Sequence, residues 1–268
     1  SFLAQNAGKK SVTLNLKSDE DREAFKALVA QSDVVVENFR PGVMDRLGLG
    51  WEQLRQVKSD IIYCAISGFG QTGPWAGRPA YDQIIQGASG IMAVTGTAEI
   101  NPLRVGFPVA DTIGGLTAAM AISAALADRG EGRFIDVSML EATIATMGWV
   151  VSNLLVAGVQ PQVIGNENMT ASPSGTFQTG DGLLNIAANE QRQWEALCHC
   201  IGRPDLLDAP DYRQRDDRKA HRADLNREIE AALAGRNAQD WEHDLLAAGV
   251  PCGAVLSVED VLSSDHLR

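Results

Sequence analysis

Asp60-Ile61-Ile62-Tyr63-Cys64-Ala65-Ile66 is apolar without interruption from Ile61 to Ile66. A strand with one face in water alternates, so this unbroken run predicts a strand covered on both faces. Asp33-Val34-Val35-Val36-Glu37 upstream has the same character, and Arg133 to Val137 reads as another strand downstream. Helical patterns separate them. One is opened by Ser18 and Asp21 and places Phe25, Leu28 and Val29 on one face; others run from Trp51 to Val57, Tyr81 to Ala88 and Asp111 to Asp128. Strands alternating with helices predict an α/β domain with a parallel sheet. Ser11 to Leu16 alternates and predicts a first strand, and Leu140 to Val156 predicts one long helix.

The composition changes in the second half. Residues 1–160 read as the large α/β domain, 161–174 as an irregular polar linker, and 175–268 as a small α+β domain. In the last of these, Phe177 to Leu184 suggests a hairpin. Helices are expected at Glu190–Ile201, Lys219–Ala234 and Ala238–Ala248, with a final strand after Gly249-Val250-Pro251-Cys252-Gly253.

A net charge of −11 argues against nucleic acid as a partner, because polyanion binders carry a basic footprint. The apolar stretch Ile113 to Ala127 falls short of the roughly 20 residues that span a bilayer, and it is read as a buried helix with no membrane role. Cys64, Cys198, Cys200 and Cys252 have no disulfide-scaffold density, which fits a reducing cytoplasm. Cys198 and Cys200 point to different helix faces, so no metal is expected. His221, His243 and His266 stand among charged residues and read as solvated.

Three segments offer chemistry. Ser67-Gly68-Phe69-Gly70-Gln71-Thr72-Gly73-Pro74 follows a strand and matches a dinucleotide fingerprint, but Pro74-Trp75 stands where the receiving helix should begin. An active-site loop is the better reading. Glu37-Asn38-Phe39-Arg40-Pro41-Gly42-Val43-Met44-Asp45-Arg46 follows the carboxyl end of a strand, where open α/β sheets bind ligands. Its amide, aromatic face and guanidinium groups suit adenine and phosphates, and a turn with exposed arginines is the alternative. Asp111 precedes Gly114-Gly115 at a helix start, where first-turn N–H groups and the dipole favour its ionised form. It caps the helix or acts as a nucleophile. Tyr81-Asp82 likewise opens a helix, with Asp82 as a first-turn stabiliser.

In combination and order these segments, with Lys9-Lys10-Ser11-Val12-Thr13-Leu14-Asn15-Leu16-Lys17 and Gly249 to Gly253, resemble the class III CoA-transferase family. That family includes formyl-CoA transferase, carnitine CoA-transferase and α-methylacyl-CoA racemases. The resemblance implies a Rossmann-like large domain, a small domain and an interlocked homodimer. It implies CoA as substrate and product, with Asp111 as the nucleophile that forms an acyl anhydride and then an aspartyl-CoA thioester before an acceptor carboxylate takes the CoA. Leu14, Lys17, Asn38, Phe39 and Arg46 match CoA-binding positions. Gly68, Phe69 and Gly70 are expected beside the thioester, and Tyr81 and Asp82 beside Asp111.

Two departures qualify the resemblance. The racemase branch has histidine at the place of Tyr81, so a racemase here would lack one acid/base group. The chain starts at Ser1, without the strand–helix unit that relatives carry before it, and stops at Arg268 before their return segment. Around Ala171 to Phe177 it has no counterpart to a glycine-rich loop of formyl-CoA transferase. Part of the CoA site and of the dimer threading is therefore expected to be absent. An acyl-CoA racemase or an inactive CoA-binding module are the alternatives to a transferase.

Overall fold

β2, Ile62–Ser67, lies between β1, Val34–Glu37, and β3, Arg133–Ser138, in a parallel sheet of order β1-β2-β3. Val34 and Arg133 both stand opposite Ile62, which fixes the register. The computed structural model describes residues 2–128 and 130–267. They form two compact units, one running to Val163 and the other from Ile164.

Successive residues of β2 serve opposite cores, as the pleat requires. Tyr63 and Ala65 pack with Val29, Val35, Met44, Leu49 and Leu54 beneath the helices Asp19–Val29 and Trp51–Val57. Cys64 and Ile66 pack on the other face with Ala118, Ile122, Ile135 and Val137. The helix Val109–Ala127 supplies Ala118 and Ile122 and lies on β2 and β3. The two-faced burial expected from the sequence is thus present.

Several expectations are corrected. Ser11 to Leu16 forms no strand; the segment is irregular and mostly exposed, with Leu16 tucked against the first core. The helix from Leu140 is two helices, Met139–Thr146 and Gly148–Ala157, bent by 79° at Met147. The helix expected at Lys219 breaks at His221 into Arg215–Ala220 and Arg222–Leu233. The Val109–Ala127 helix is not enclosed: Leu116 is 66% and Met120 70% exposed on its outer face. By length and composition it is a candidate membrane span, yet its inner face is committed to the sheet.

In the second unit β4, Ser174–Gln178, β5, Leu183–Ala187, and β6, Cys252–Ala254, form an antiparallel sheet of order β4-β5-β6. Leu184 and Ile186 of β5 point inward and their neighbours outward. Leu225, Ile229 and Leu233, four apart on one helix face, close over Phe177, Trp194 and Leu245. Arg218 is only 2% exposed. Its guanidinium lies 5.1 Å from the Trp194 ring centroid and donates to the carbonyls of Ser172 at 2.9 Å, Tyr212 at 3.0 Å and Arg213 at 3.3 Å. Arg222 holds Glu167 at 2.7 Å and the carbonyls of Asn168 and Ala171, so residues 167–172 are tied to this unit.

Burial holds the Arg218 pKa below its ordinary value, so its carbonyl partners are what keep the charge tolerable. Arg218→Met keeps the apolar stem but strands those carbonyls. We expect it to cost about 3 kcal/mol, measured by urea unfolding followed through tryptophan fluorescence. A loss below ~1 kcal/mol would show that water replaces the guanidinium.

Candidate active site

Asp111 is the third residue of the Val109–Ala127 helix, which begins two residues earlier than the sequence suggests. Pro108 at its N-cap offers no side-chain cap. The first-turn amides are satisfied instead from another helix, Asp82–Ser89, whose first residue is Asp82. Asp82 Oδ1 accepts from Ala110 N at 2.8 Å and from Asp111 N at 3.3 Å, and Oδ2 accepts from Gln86 Nε2 at 2.6 Å. Gln86, fully buried, accepts from Val105 N at 2.9 Å through Oε1. One buried carboxylate and one buried amide therefore fix the approach to Asp111 and the start of its helix.

This changes the electrostatics expected of Asp111. Burial, followed by the negative charge of Asp82, holds its pKa above the ordinary aspartate value. The expectation that helix amides and the dipole favour its ionised form is corrected, because Asp82 already occupies the two amides that would otherwise stabilise it. Among the described residues no cation pairs with Asp111. The carboxylate stands exposed at the helix start with no cation partner among the described residues, which leaves it free to act as a nucleophile.

Asp111 opens into a cavity of about 550 Å³. The cavity is lined by Asn38, Phe39 and Arg40 after β1, by Ile66 and Gly68 at the end of β2, and by Arg78 to Tyr81. Asn38 Nδ2 donates to Ile66 O at 2.7 Å, binding the β1 loop to the β2 end. A Cβ on Gly68 would stand 2.4 Å from Ala80 Cβ, so only glycine lets the β2 end and the segment before Tyr81 approach this closely. The two glycines after Asp111 divide their roles. A Cβ on Gly114 would meet Met139 Cγ at 3.0 Å, whereas Gly115, one turn above Asp111, faces open space and lines the cavity.

The CoA-transferase family III model matches residues 1–268. The chain belongs to CoA-transferase family III. The acetyl-CoA:oxalate CoA-transferase of Acetobacter aceti is 40% identical over 263 residues, which is 97% of this chain and 68% of that protein. The succinyl-CoA:mesaconate CoA-transferase of Haloarcula hispanica is 37% identical over 100% of this chain and 68% of its own length. A CaiB/BaiF family protein from Brucella suis superposes with a TM-score of 0.89 at 34% identity, covering 98% of this chain and 70% of that one.

Of the family positions marked in the sequence, Asn38, Phe39, Gly68, Tyr81 and Asp111 share the cavity, and Tyr81 is 83% exposed. Asp82 stands behind it as the cap. Phe69 and Gly70 do not line the cavity. Phe69 packs under it against Ile85, Ala110 and Met139, and edge-on to Trp75 at 5.6 Å. Gly70 faces Asp136 of β3, whose Oδ2 accepts from Gln71 N at 2.9 Å. The glycine loop is thus fastened to β3. Leu14, Lys17 and Arg46 also lie outside the cavity; Arg46 folds back over Gly42, 3.3 Å from where a Cβ would sit. Sequence reasoning passed over Arg78 and Met139 as lining groups. Arg78 had a signal: it is the sole charge between Ser67 and Ala80.

Proposed function

We propose that this family III member transfers CoA from an acyl-CoA thioester to a carboxylic acid through covalent intermediates on Asp111. The observation that carries the reading is the uncompensated Asp111 carboxylate at a cavity lined by Asn38, Phe39 and the β2 end. The named relatives, whose co-substrates include oxalate and mesaconate, support it.

In the proposed sequence an Asp111 oxygen attacks the thioester carbonyl. The C–S bond breaks, and CoA thiolate leaves a mixed anhydride on the aspartate. The thiolate then attacks the Asp111 acyl carbon, expelling the donor acid as its carboxylate and leaving aspartyl-CoA. The acceptor carboxylate displaces CoA from that carbon to form a second anhydride, and thiolate attack on the acceptor carbonyl releases acyl-CoA and regenerates Asp111. No water and no net proton enter these steps.

A cavity of this volume suits a drug-sized ligand, and acyl-CoA is larger. We therefore assign the pantetheine arm and acyl group to the cavity, and the nucleotide to the surface beyond Phe39, with Leu14, Lys17 and Arg46 as its contacts. Exposed Leu116, Met120, Leu155 and Val156 support a second copy of the chain as partner. The phenol of Tyr81 in place of a histidine favours transfer over α-proton exchange.

Incubation with acyl-CoA followed by borohydride should reduce aspartyl-CoA and leave homoserine at position 111, read as a mass change of that peptide. Exchange that proceeds with the peptide unmodified would refute the covalent route.

A further inference from the structure

Two guanidinium groups line the cavity, Arg40 and Arg78, and neither forms an ion pair among the described residues. Both side chains are exposed, so each is free to meet an anion that enters the cavity beside Asp111. The two stand on different segments. Arg40 adjoins Phe39 on the β1 loop, beside the surface assigned to the CoA nucleotide. Arg78 belongs to the segment that carries Pro79, Ala80 and Tyr81 into the helix capping Asp111.

Arg78 is also prepositioned. Its guanidinium carbon lies 4.5 Å from the centroid of the Trp75 ring. Trp75 meets Phe69 edge-on at 5.6 Å, and Phe69 packs against the cluster that holds Ala110 and Met139. A guanidinium carbon held over an aromatic ring leaves N–H donors available for a carboxylate. These two aromatic rings therefore link the arginine to the core cluster that holds Ala110, the residue before the nucleophile.

We propose that Arg78 binds the remote carboxylate of a dicarboxylic acid acceptor while the other carboxylate faces Asp111, making Arg78 the residue that selects diacids over monoacids. This rests on the transferase reading above and adds the acceptor class to it. The same guanidinium would also fit a CoA phosphate, and the test separates the two anions.

Calorimetric titration of the wild-type chain with succinate and with butyrate, matched in carbon number, should show succinate binding about 30-fold tighter, the value of a charge-assisted bidentate contact. Arg78→Gln should abolish that preference while leaving butyrate and CoA binding unchanged, and Arg78→Lys should restore part of it. Arg40→Gln should weaken CoA and leave the preference intact. In exchange assays, Arg78→Gln should raise KM for the diacid with little change in kcat and no change in donor KM. Equal loss of succinate and butyrate binding, loss of CoA binding in Arg78→Gln, or a preference that follows Arg40 would overturn the assignment. Diacid preference in binding without CoA exchange would instead overturn the transferase reading and leave the Arg78 site standing.

Discussion

Replacing Asp111 by asparagine should abolish CoA exchange, by at least ~10³-fold in kcat, while making the folded protein more stable at neutral pH. The loss follows from chemistry: an amide oxygen is too weak a nucleophile to form the anhydride, and among the described residues no other carboxylate lines the cavity. Asp82 is committed to Ala110 N, Asp111 N and Gln86. The gain follows from electrostatics. Burial and the Asp82 charge raise the pKa of Asp111 in the folded chain. A carboxyl whose folded pKa is raised binds its proton more readily when folded, so wild-type stability falls as pH rises from the unfolded to the folded pKa. The variant lacks that penalty. Its melting temperature should exceed the wild type's at neutral pH, and the difference should close in acid, where Asp111 is protonated in both states. A variant less stable than wild type at neutral pH would mean that Asp111 is a structural cap.

The fold was legible where burial alone decides structure. The run from Ile61 to Ile66 had to have two covered faces, and β2 has them, with Tyr63 in one core and Cys64 in the other. It was not legible where a local pattern lacked a tertiary partner. Ser11 to Leu16 alternates as a strand should, but an isolated extended segment leaves its backbone groups unpaired. No neighbouring strand pairs with it. Nor does any proline mark the 79° bend at Met147, so the apolar periodicity reads straight through it. The openness of the Val109–Ala127 helix was equally hidden, since Leu116 and Met120 carry the apolar character of buried residues while standing exposed.

The candidate site divides in the same way. Asn38, Phe39, Gly68 and Asp111 stand at strand ends or a helix start, positions that sequence can locate, and the cavity joins them. Phe69 and Gly70 adjoin Gly68 in sequence, but the loop turns one into the core and the other toward Asp136. Direction, unlike position, depends on contacts made dozens of residues away. Asp82 shows this most clearly. At the start of a helix an aspartate reads as a stabiliser of its own first turn, whereas here its oxygens serve the amides of a helix that begins at Val109.

That displacement gives Asp82 a large expected effect. Asp82→Ala removes the acceptor for Ala110 N and Asp111 N and leaves buried Gln86 Nε2 with only the long 3.4 Å contact to Phe107 O. Loss of a cap costs about 1 kcal/mol and a stranded buried donor about 1–3 kcal/mol more. We therefore expect a loss of roughly 2–4 kcal/mol in urea unfolding. Because the same bonds set where Asp111 lies, kcat should fall by about 10²-fold through misplacement of the nucleophile. Asp82→Asn separates the two contributions. Its Oδ1 can still accept from the helix amides, but its Nδ2 faces Gln86 Nε2, donor against donor. Gln86 cannot turn to relieve this without giving up Val105 N, so the variant should still lose about 1 kcal/mol. Its charge is gone, however, and with it the Coulombic part of the raised Asp111 pKa. Since attack requires ionised Asp111, the acid limb of the rate profile should move to lower pH in Asp82→Asn while the alkaline side stays in place. An acid limb that does not move would mean that burial alone sets the Asp111 pKa, and that Asp82 acts only as the cap of the nucleophile's helix.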